Sequence, residues 1–418
     1  MLRTVVLQQK EEKEALLAKN YQKRISIEKN SEFLQSSLIK LITGARRAGK
    51  SVFALQMLEH QNFAYLNFDD DLLLKYFDEN LLLQYLLEIY PDFQYLLLDE
   101  IQNLPAWDIW VGKLYRRGIN LIITGSNANL LSNEMATVLT GRYLQINIFP
   151  FSFLENINYQ KNSTGQDTPH EKAAFMQSLN DYLQFGGFPE TIGQRSITRN
   201  YLSSLFDSVL LKDIAKRYKI RNTVELYNLA NYLLTNFCNP LSLNDLAAEL
   251  DLGSVHTVKK FCRYLSEPYL FFYLPRFNSK LKLMQKSPQK IYTIDNGFVF
   301  ARSFELSKNS GRLLENMIFV ELLRQGFSAG QTLFYYRTRN DKEIDFVCRT
   351  QHQVTELIQV SYDVSNEKTL KREISAFAEA SKELKCCNLT LITWDTERTL
   401  EETDYKISII PVWKWLQK

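Results

Sequence analysis

The sequence predicts an α/β fold in three layers, a parallel sheet with helices on both faces. Three stretches carry that expectation. "SLIKLITG" is a short apolar run ending at Gly44, and the loop after it passes straight into the helical spacing of "KSVFALQMLEH", with Val52, Leu55, Met57 and Leu58. "FQYLLLDEIQ" is a second apolar run and ends in Asp99 and Glu100. "INLIITGSNANLL" is a third and ends in Gly125, Ser126 and Asn127. Short apolar runs bounded by turn residues and separated by helical patterns are the mark of buried parallel strands. Five strands are expected, at 38–43, 63–68, 94–98, 119–124 and 143–149.

At 418 residues the chain exceeds one ordinary core, so about two to four domains are expected. A hydrophobic content of 45% with 23% charged residues places it among soluble globular proteins. No apolar run approaches the roughly 18 residues of a membrane helix. The apolar patch after Arg3 is short for a signal peptide and lacks a small-residue cleavage site. A cytoplasmic location with no membrane partner is the expectation. Cys238, Cys262 and Cys348 stand alone and Cys386 adjoins Cys387, a spacing that reads as reduced thiols and not as a framework or a zinc site. The four histidines are scattered, which argues against a histidine-based metal site.

Gly44, Gly49, Lys50 and Ser51 match the spacing G-x-x-x-x-G-K-[ST]. Glycines let the backbone wrap so that successive N–H groups face phosphate oxygens, and the following helix N-terminus adds a favourable dipole. Gly44, Ala45, Arg46, Arg47, Ala48, Gly49, Lys50, Ser51 and Val52 are therefore the candidate cradle for ATP. Lys50 reaches the β- and γ-phosphates and the Ser51 hydroxyl ligates Mg²⁺. A glycine-rich turn ahead of a helix is the plain alternative.

Asp99 and Glu100 cap the second run, where a carboxylate suits Mg²⁺ and its neighbour suits general-base work on a water. Asp99 is the expected metal partner, with Ser51, and Glu100 the expected base. Ser126 and Asn127 follow the next strand, where a polar side chain can meet the γ-phosphate or the attacking water. A plain turn or helix cap is the alternative there. Ligands in open α/β sheets bind beyond the strand carboxyl ends, and all of these residues fall at such ends.

The run "GARRAGKS … YLNFDD … LLLDEIQNLPAW … LIITGSNANLLS … LTGRYLQINIFPFSFLE … FGGFPE" resembles a family of prokaryotic AAA+ ATPases. The resemblance spans roughly residues 31–365. It implies a P-loop NTPase sheet of AAA+ type, then a helical lid, a winged helix and a C-terminal α/β domain like restriction endonucleases. It makes Gly44, Gly49, Lys50 and Ser51 the Walker A residues and Asp99 and Glu100 the Walker B pair. It also implies a sensor at Ser126 or Asn127. Arg142 in "LTGRY" becomes a candidate for an arginine that approaches phosphate, in cis or from a neighbouring subunit, with a buried structural arginine as the alternative.

The expected organisation is a helical extension over 1–30, the ATPase core over 31–156, the lid over 171–235, the winged helix over 236–300 and the nuclease-like domain over 301–418. A polar, turn-rich linker, 157–171, follows the core. In the winged helix, "DLGS" separates two helical patterns, and the second presents Lys259, Lys260 and Arg263, as a groove-reading helix would. From Arg276 to Lys290 there are five basic residues and no acid. Lys280, Lys282 and Lys286 are the candidate phosphate contacts of a wing. The alternative is a soluble hairpin on a winged helix that packs against protein.

In the C-terminal domain Glu315 on a helix, Asp345 in a strand and Gln359 in the next follow the order of a metal-dependent nuclease core. Ser361 stands where that pattern asks for lysine, so the site is expected to be vestigial. Three functions compete. The first is ATP hydrolysis coupled to a nucleic-acid or protein partner, with a homo-oligomer as a candidate active form. The second is a scaffold that binds ATP without turning it over. The third is an ATP-regulated nuclease. Glu100 favours the first, and the missing lysine disfavours the third.

Overall fold

The apolar runs form five strands, β1 (Ile39–Gly44), β2 (Phe63–Asn67), β3 (Tyr95–Asp99), β4 (Asn120–Gly125) and β5 (Tyr143–Ile148), each within one residue of its expected bounds. All neighbours pair in parallel, in the order β2-β3-β4-β1-β5. β1, β3 and β4 are buried almost end to end, which is why they read as continuous apolar runs. β5 lies at an edge and alternates, with Ile146 and Ile148 buried and Gln145 and Asn147 exposed. The order matters for the site, because β4 lies between β1 and β3. Its tip therefore comes between the loop after β1 and the carboxylates after β3.

The structure is a computed structural model that describes residues 1–126, 141–159, 168–302, 310–351, 353–401 and 405–417. It divides into two units, Met1–Pro150 and Phe151–Lys418.

In the first unit the N-terminal stretch is more than a surface extension. Helix Leu2–Leu17 turns Leu2, Val5 and Val6 into the same core as Leu66, Leu86 and Leu98. Their i, i+3, i+4 spacing makes one apolar face. Gln9 on that helix donates to Asn67 O and accepts from Asn67 N–H, both at 3.0 Å, so it satisfies the end of edge strand β2.

After helix Phe153–Tyr159 at its start, the second unit continues with helices Pro169–Phe185, Arg195–Ser208 and Thr223–Thr235, with a π-helical stretch at Val209–Ala215. Thr168 and Glu171 close a capping box on helix Pro169–Phe185. Helices Leu243–Glu249 and Val255–Ser266 follow, beside a three-stranded sheet of β6 (Pro240–Leu241), β7 (Phe271–Pro275) and β8 (Gln289–Thr293) in the order β6-β8-β7. A six-stranded sheet then runs β13-β14-β12-β11-β10-β9. Its strands are β9 (Leu333–Arg337), β10 (Glu343–Thr350), β11 (Gln353–Val360), β12 (Asn388–Thr393), β13 (Arg398–Glu401) and β14 (Lys406–Pro411). Helices Ser310–Arg324 and Glu367–Leu384 pack on it.

The "FGGFPE" stretch has a local cause. Asp295 accepts the N–H groups of Gly187 and Gly297, both at 2.8 Å, from inside the unit. Gly186 sits at φ +77, and a Cβ there would collide with the Asp295 carboxylate. Only glycine lets the chain pass that carboxylate.

Candidate nucleotide-binding site

β1 delivers the loop and ends at Gly44, where the backbone runs so close to the end of β5 that a Cβ would strike Ile148 O. The loop turns through Arg47 at φ +64 and Gly49 at φ +91 before helix Lys50–Met57 begins. A non-glycine residue at positive φ stores about 1–3 kcal/mol of strain, which the surrounding loop must overcome. Ala45 and Ala48 are buried, Arg46 and Val52 half-buried, and Arg47 exposed.

The side chains of the motif converge. Lys50 is 4% exposed, with its ammonium 3.2 Å from Ala45 O and 3.5 Å from Glu100 Oε1. Ser51 Oγ donates to Asp99 Oδ1 at 2.8 Å. Thr124, at the tip of β4, donates its hydroxyl to the same oxygen and accepts the Glu100 N–H at 3.0 Å. Ser126 is buried on the same tip. Asn127 lies outside the described residues.

The two carboxylates differ in character. Burial, with the adjacent Glu100 charge, lifts the Asp99 carboxyl to about 6, against the hydrogen bonds from Thr124 and Ser51. Burial also pushes Glu100 up, but the Lys50 charge, the Gln102 amide and Arg46 outweigh it and hold Glu100 below the usual carboxylate range. Glu100 is thus kept ionised, as a base must be.

Three residues of this site carry no signal in the sequence. Thr124 is hidden inside an apolar strand. Gln102 lies in the one-turn helix Ile101–Asn103 and donates from Nε2 to Glu100 Oε2 at 2.5 Å and to Ser126 Oγ at 3.5 Å. Its Oε1 is buried and has no hydrogen-bond partner among the described residues. Arg24 comes from the N-terminal segment, is 5% exposed, and donates to Ala48 O in the loop and to Phe149 O at 3.1 Å. No short motif could signal Gln102 or Arg24.

Arg142 is placed elsewhere. It precedes β5, is exposed, and lies over the Tyr115 ring at 5.8 Å. Its carbonyl pairs with Ile39 N–H at the start of β1, so it sits at the opposite end of the strands from the loop. The length of a six-residue strand, about 20 Å, separates the two ends. Within one chain, Arg142 does not reach the phosphate loop.

Of the candidate nucleic-acid residues, Lys259, Lys260 and Arg263 are exposed on helix Val255–Ser266. Lys280, Lys282 and Lys286 are exposed on and beside the short helix Leu281–Lys286, between β7 and β8. Lys290 departs from the expectation of a solvated basic stretch. It is 1% exposed, on β8, and faces acids.

The three residues expected from the nuclease pattern lie close together. Glu315, Asp345 and Gln359 are all buried, and Asp345 N–H donates to Gln359 Oε1 at 2.6 Å. The cation missing from the strand pattern arrives from another element, for Lys290 Nζ lies 2.8 Å from both Glu315 and Asp345. Asp345 therefore pairs with Lys290, while Arg337 pairs with Asp341 and Glu343. Burial works against the Lys290 charge, but the charges of Asp345, Glu315 and Glu343 outweigh it and hold the ammonium well above the usual lysine value. Among the described residues no group of acids, histidines or cysteines is set at metal-binding spacing as it stands. Four of the five cysteines are buried thiols, and Cys387 is exposed. No helix among the described residues is long and apolar enough to cross a membrane.

Family models match the chain in three consecutive segments. An AAA domain covers 36–157, a domain of unknown function (DUF8612) covers 176–308, and a second (DUF4143) covers 310–415. An uncharacterized protein of Methanocaldococcus jannaschii is 38% identical over 395 residues, covering 90% of this chain and 88% of its own length. An uncharacterized protein of Haemophilus influenzae is 33% identical over 351 residues, covering 80% and 84%. Among solved structures, a Walker-type ATPase of Pyrococcus abyssi is 14% identical, covers 68% of this chain and 99% of its own, and has a TM-score of 0.42, too low to speak for a shared fold. The loop and carboxylates lie within the segment matched as an AAA domain, and the likeness to the archaeal relative runs along nearly the whole chain. The chain belongs to a family of P-loop AAA-type ATPases and carries a DUF4143 domain at its C-terminal end.

Proposed function

We propose that the protein is a Mg²⁺-dependent ATPase that relays its nucleotide state to a nucleic acid held on the basic face of its middle helices. The observation that carries the reading is the convergence of Lys50, Ser51, Asp99 and Glu100 at the adjoining tips of β1, β4 and β3. The donor set fits the ligand. Ser51 and Asp99 offer hard oxygens to Mg²⁺, and the glycine positions leave the loop backbone open to phosphate. Ser51 and Asp99 would hold the Mg²⁺, which would offset the negative charge of the phosphates. Lys50 then leaves Glu100 for phosphate, which frees Glu100 to take the proton of the attacking water. Gln102 holds that carboxylate in place, and Ser126 or Asn127 orients the water.

The nucleic-acid arm rests on charge and shape in the second unit. Two helices, Leu243–Glu249 and Val255–Ser266, beside the sheet β6-β8-β7 suit a winged helix. A groove of about 340 Å³ runs between helix Val255–Ser266 and the segment around Tyr218. Lys219, Arg221, His256 and Lys260 line it, and the carboxylate that bears on its lining is that of Glu267, which accepts from Tyr218 OH. At its floor Tyr218 stacks on Tyr264 with ring centroids 3.5 Å apart. Cations beside aromatic rings suit a phosphate backbone with bases stacked nearby. Lys259 and Arg263 are exposed on the same helix, Lys280, Lys282 and Lys286 are a second candidate contact, and the C-terminal nuclease-like domain is a further partner surface. Arg142 acts on phosphate only from a neighbouring copy, which makes a homo-oligomer the active form. ATP turnover measured alone, with DNA and with RNA tests the coupling. Stimulation by a nucleic acid supports it, and turnover indifferent to both removes the nucleic-acid arm.

One observation favours the scaffold reading. Both Glu100 oxygens are engaged, by Lys50 and by Gln102. A chain that binds ATP tightly and never hydrolyses it, with any partner, would be that scaffold.

A further inference from the structure

Arg24 reaches the phosphate loop from outside the motif. It lies in the stretch between helix Leu2–Leu17 and β1, is 5% exposed, and donates to two backbone carbonyls. Nη2 donates to Ala48 O inside the loop, and Nη1 donates to Phe149 O at 3.1 Å, one residue beyond β5. The helix that follows the loop holds this segment in register. Gln56 on helix Lys50–Met57 donates to Gln22 O at 2.9 Å and accepts the Arg24 N–H at 3.4 Å. Gly49 leaves room for the guanidinium, since a Cβ there would come 3.1 Å from Arg24 Nη2.

The carbonyl that Arg24 holds is one half of a peptide unit. Ala48 O and Gly49 N–H belong to the same planar trans peptide, so they point in opposite directions. Drawing the carbonyl toward Arg24 turns the Gly49 N–H to the other side of the loop. Backbone N–H groups of a glycine-rich loop ahead of a helix are what phosphate oxygens take. The guanidinium charge also polarises the peptide it holds, which strengthens that donor. A rigid planar fork sets two carbonyls at fixed directions, which the point charge of a lysine does not.

We infer that Arg24 is a positioning residue for nucleotide binding, which fixes the Ala48–Gly49 peptide so that the Gly49 N–H faces phosphate. The inference rests on the ATP reading of the loop. Arg24 acts through the loop backbone and touches no part of the nucleotide. The N–H it orients meets phosphate before and during the reaction alike, so its loss falls on binding more than on chemistry. The N-terminal segment is thereby part of the phosphate site, although Arg24 stands 24 positions from the carbonyl it holds.

The test uses the full chain as wild type, Arg24→Ala and Gln56→Ala, with ATP and inorganic tripolyphosphate as ligands in Mg²⁺. Arg24→Ala should bind both about tenfold more weakly or worse, by similar factors, because the phosphate chain is what the loop holds. The rise in KM should exceed any fall in kcat. Free guanidinium ion, well below its unfolding range, should restore affinity in Arg24→Ala and leave wild type unchanged. Gln56→Ala should show a smaller loss of the same kind. Wild-type affinity in Arg24→Ala overturns the inference, and so does a loss that spares tripolyphosphate. A loss that guanidinium does not restore marks a role in folding alone and overturns it too. A wild type that binds neither ligand overturns the ATP reading and the inference together. Should Arg24→Ala fail to fold, Arg24→Lys decides: weaker binding of both ligands supports the inference, and wild-type affinity overturns it.

Discussion

Ser51 donates its hydroxyl to Asp99 at 2.8 Å, which ties the first turn of the helix after the phosphate loop to the tip of β3. Two residues 48 positions apart in sequence thereby place their side-chain oxygens side by side. Neither position has to move far for one Mg²⁺ to take both, so the proposed metal site is largely preorganised. Glu100, one residue on, lies at φ +51, which turns its side chain toward Lys50 and away from the strand.

Gln102 is expected to act through Glu100. Gln102→Ala should lower kcat several-fold while leaving ATP affinity near that of wild type, since the amide touches the base and no part of the phosphate loop. Steady-state turnover alongside nucleotide binding reads the split. A loss of affinity equal to the loss in kcat would show that Gln102 merely supports the fold of the site.

The basic groove should carry a salt signature. Changing Lys219, Arg221 and Lys260 together to Ala should weaken nucleic-acid binding across sequences. It should also flatten the salt dependence by about 0.9 in log–log slope for each phosphate left without its cation. Changing Lys280, Lys282 and Lys286 to Ala should act in the same direction. Binding measured over a range of salt checks both, and unchanged affinity in both variants would assign these middle helices to protein packing.

How much of this was legible in sequence depends on range. The five strands and the helix after the loop were readable because burial on both faces and amphipathic spacing are local properties. Asp99 and Glu100 were readable for the same reason, at the end of an apolar run. Arg24 was not, since its partners Ala48 and Phe149 are 24 and 125 positions away. Lys290 sits in a stretch that reads as solvated and basic, because its partners lie 25 and 55 positions further on. A lysine absent from its motif position can be supplied by any element that packs alongside, and spacing carries no trace of that.

Asp295 should leave a mark on the pH dependence of stability. Burial lifts its carboxyl to about 6, against the N–H groups of Gly187 and Gly297 and the charge of Arg324. The folded state then holds this proton more tightly than the unfolded one. Its contribution is full below the unfolded value near 4 and is lost as pH rises through about 6, a change on the order of 3 kcal/mol. By denaturant unfolding, the stability of wild type minus that of Asp295→Asn should therefore fall from pH 4 to pH 7. A value that rises with pH contradicts the assignment.

The C-terminal domain is expected not to cut nucleic acid, because Lys290 fills the point where its acids converge. Supercoiled and single-stranded DNA, and RNA, should survive incubation with Mg²⁺ or Mn²⁺, with or without ATP. Cleavage that is lost in Asp345→Ala and kept in Lys50→Ala would make the protein a nuclease.

Lys50 binds ATP and Glu100 hydrolyses it on the mechanism proposed above, and one paired measurement reaches both roles. ATP binding and single-turnover hydrolysis are followed for wild type, Lys50→Ala and Glu100→Gln in Mg²⁺. Lys50→Ala should lose tight binding. Glu100→Gln keeps the shape of the site and should bind ATP as wild type does, yet hydrolyse it about a hundredfold more slowly or worse. Hydrolysis by Glu100→Gln at the wild-type rate would contradict the role given to Glu100, and with it the mechanism.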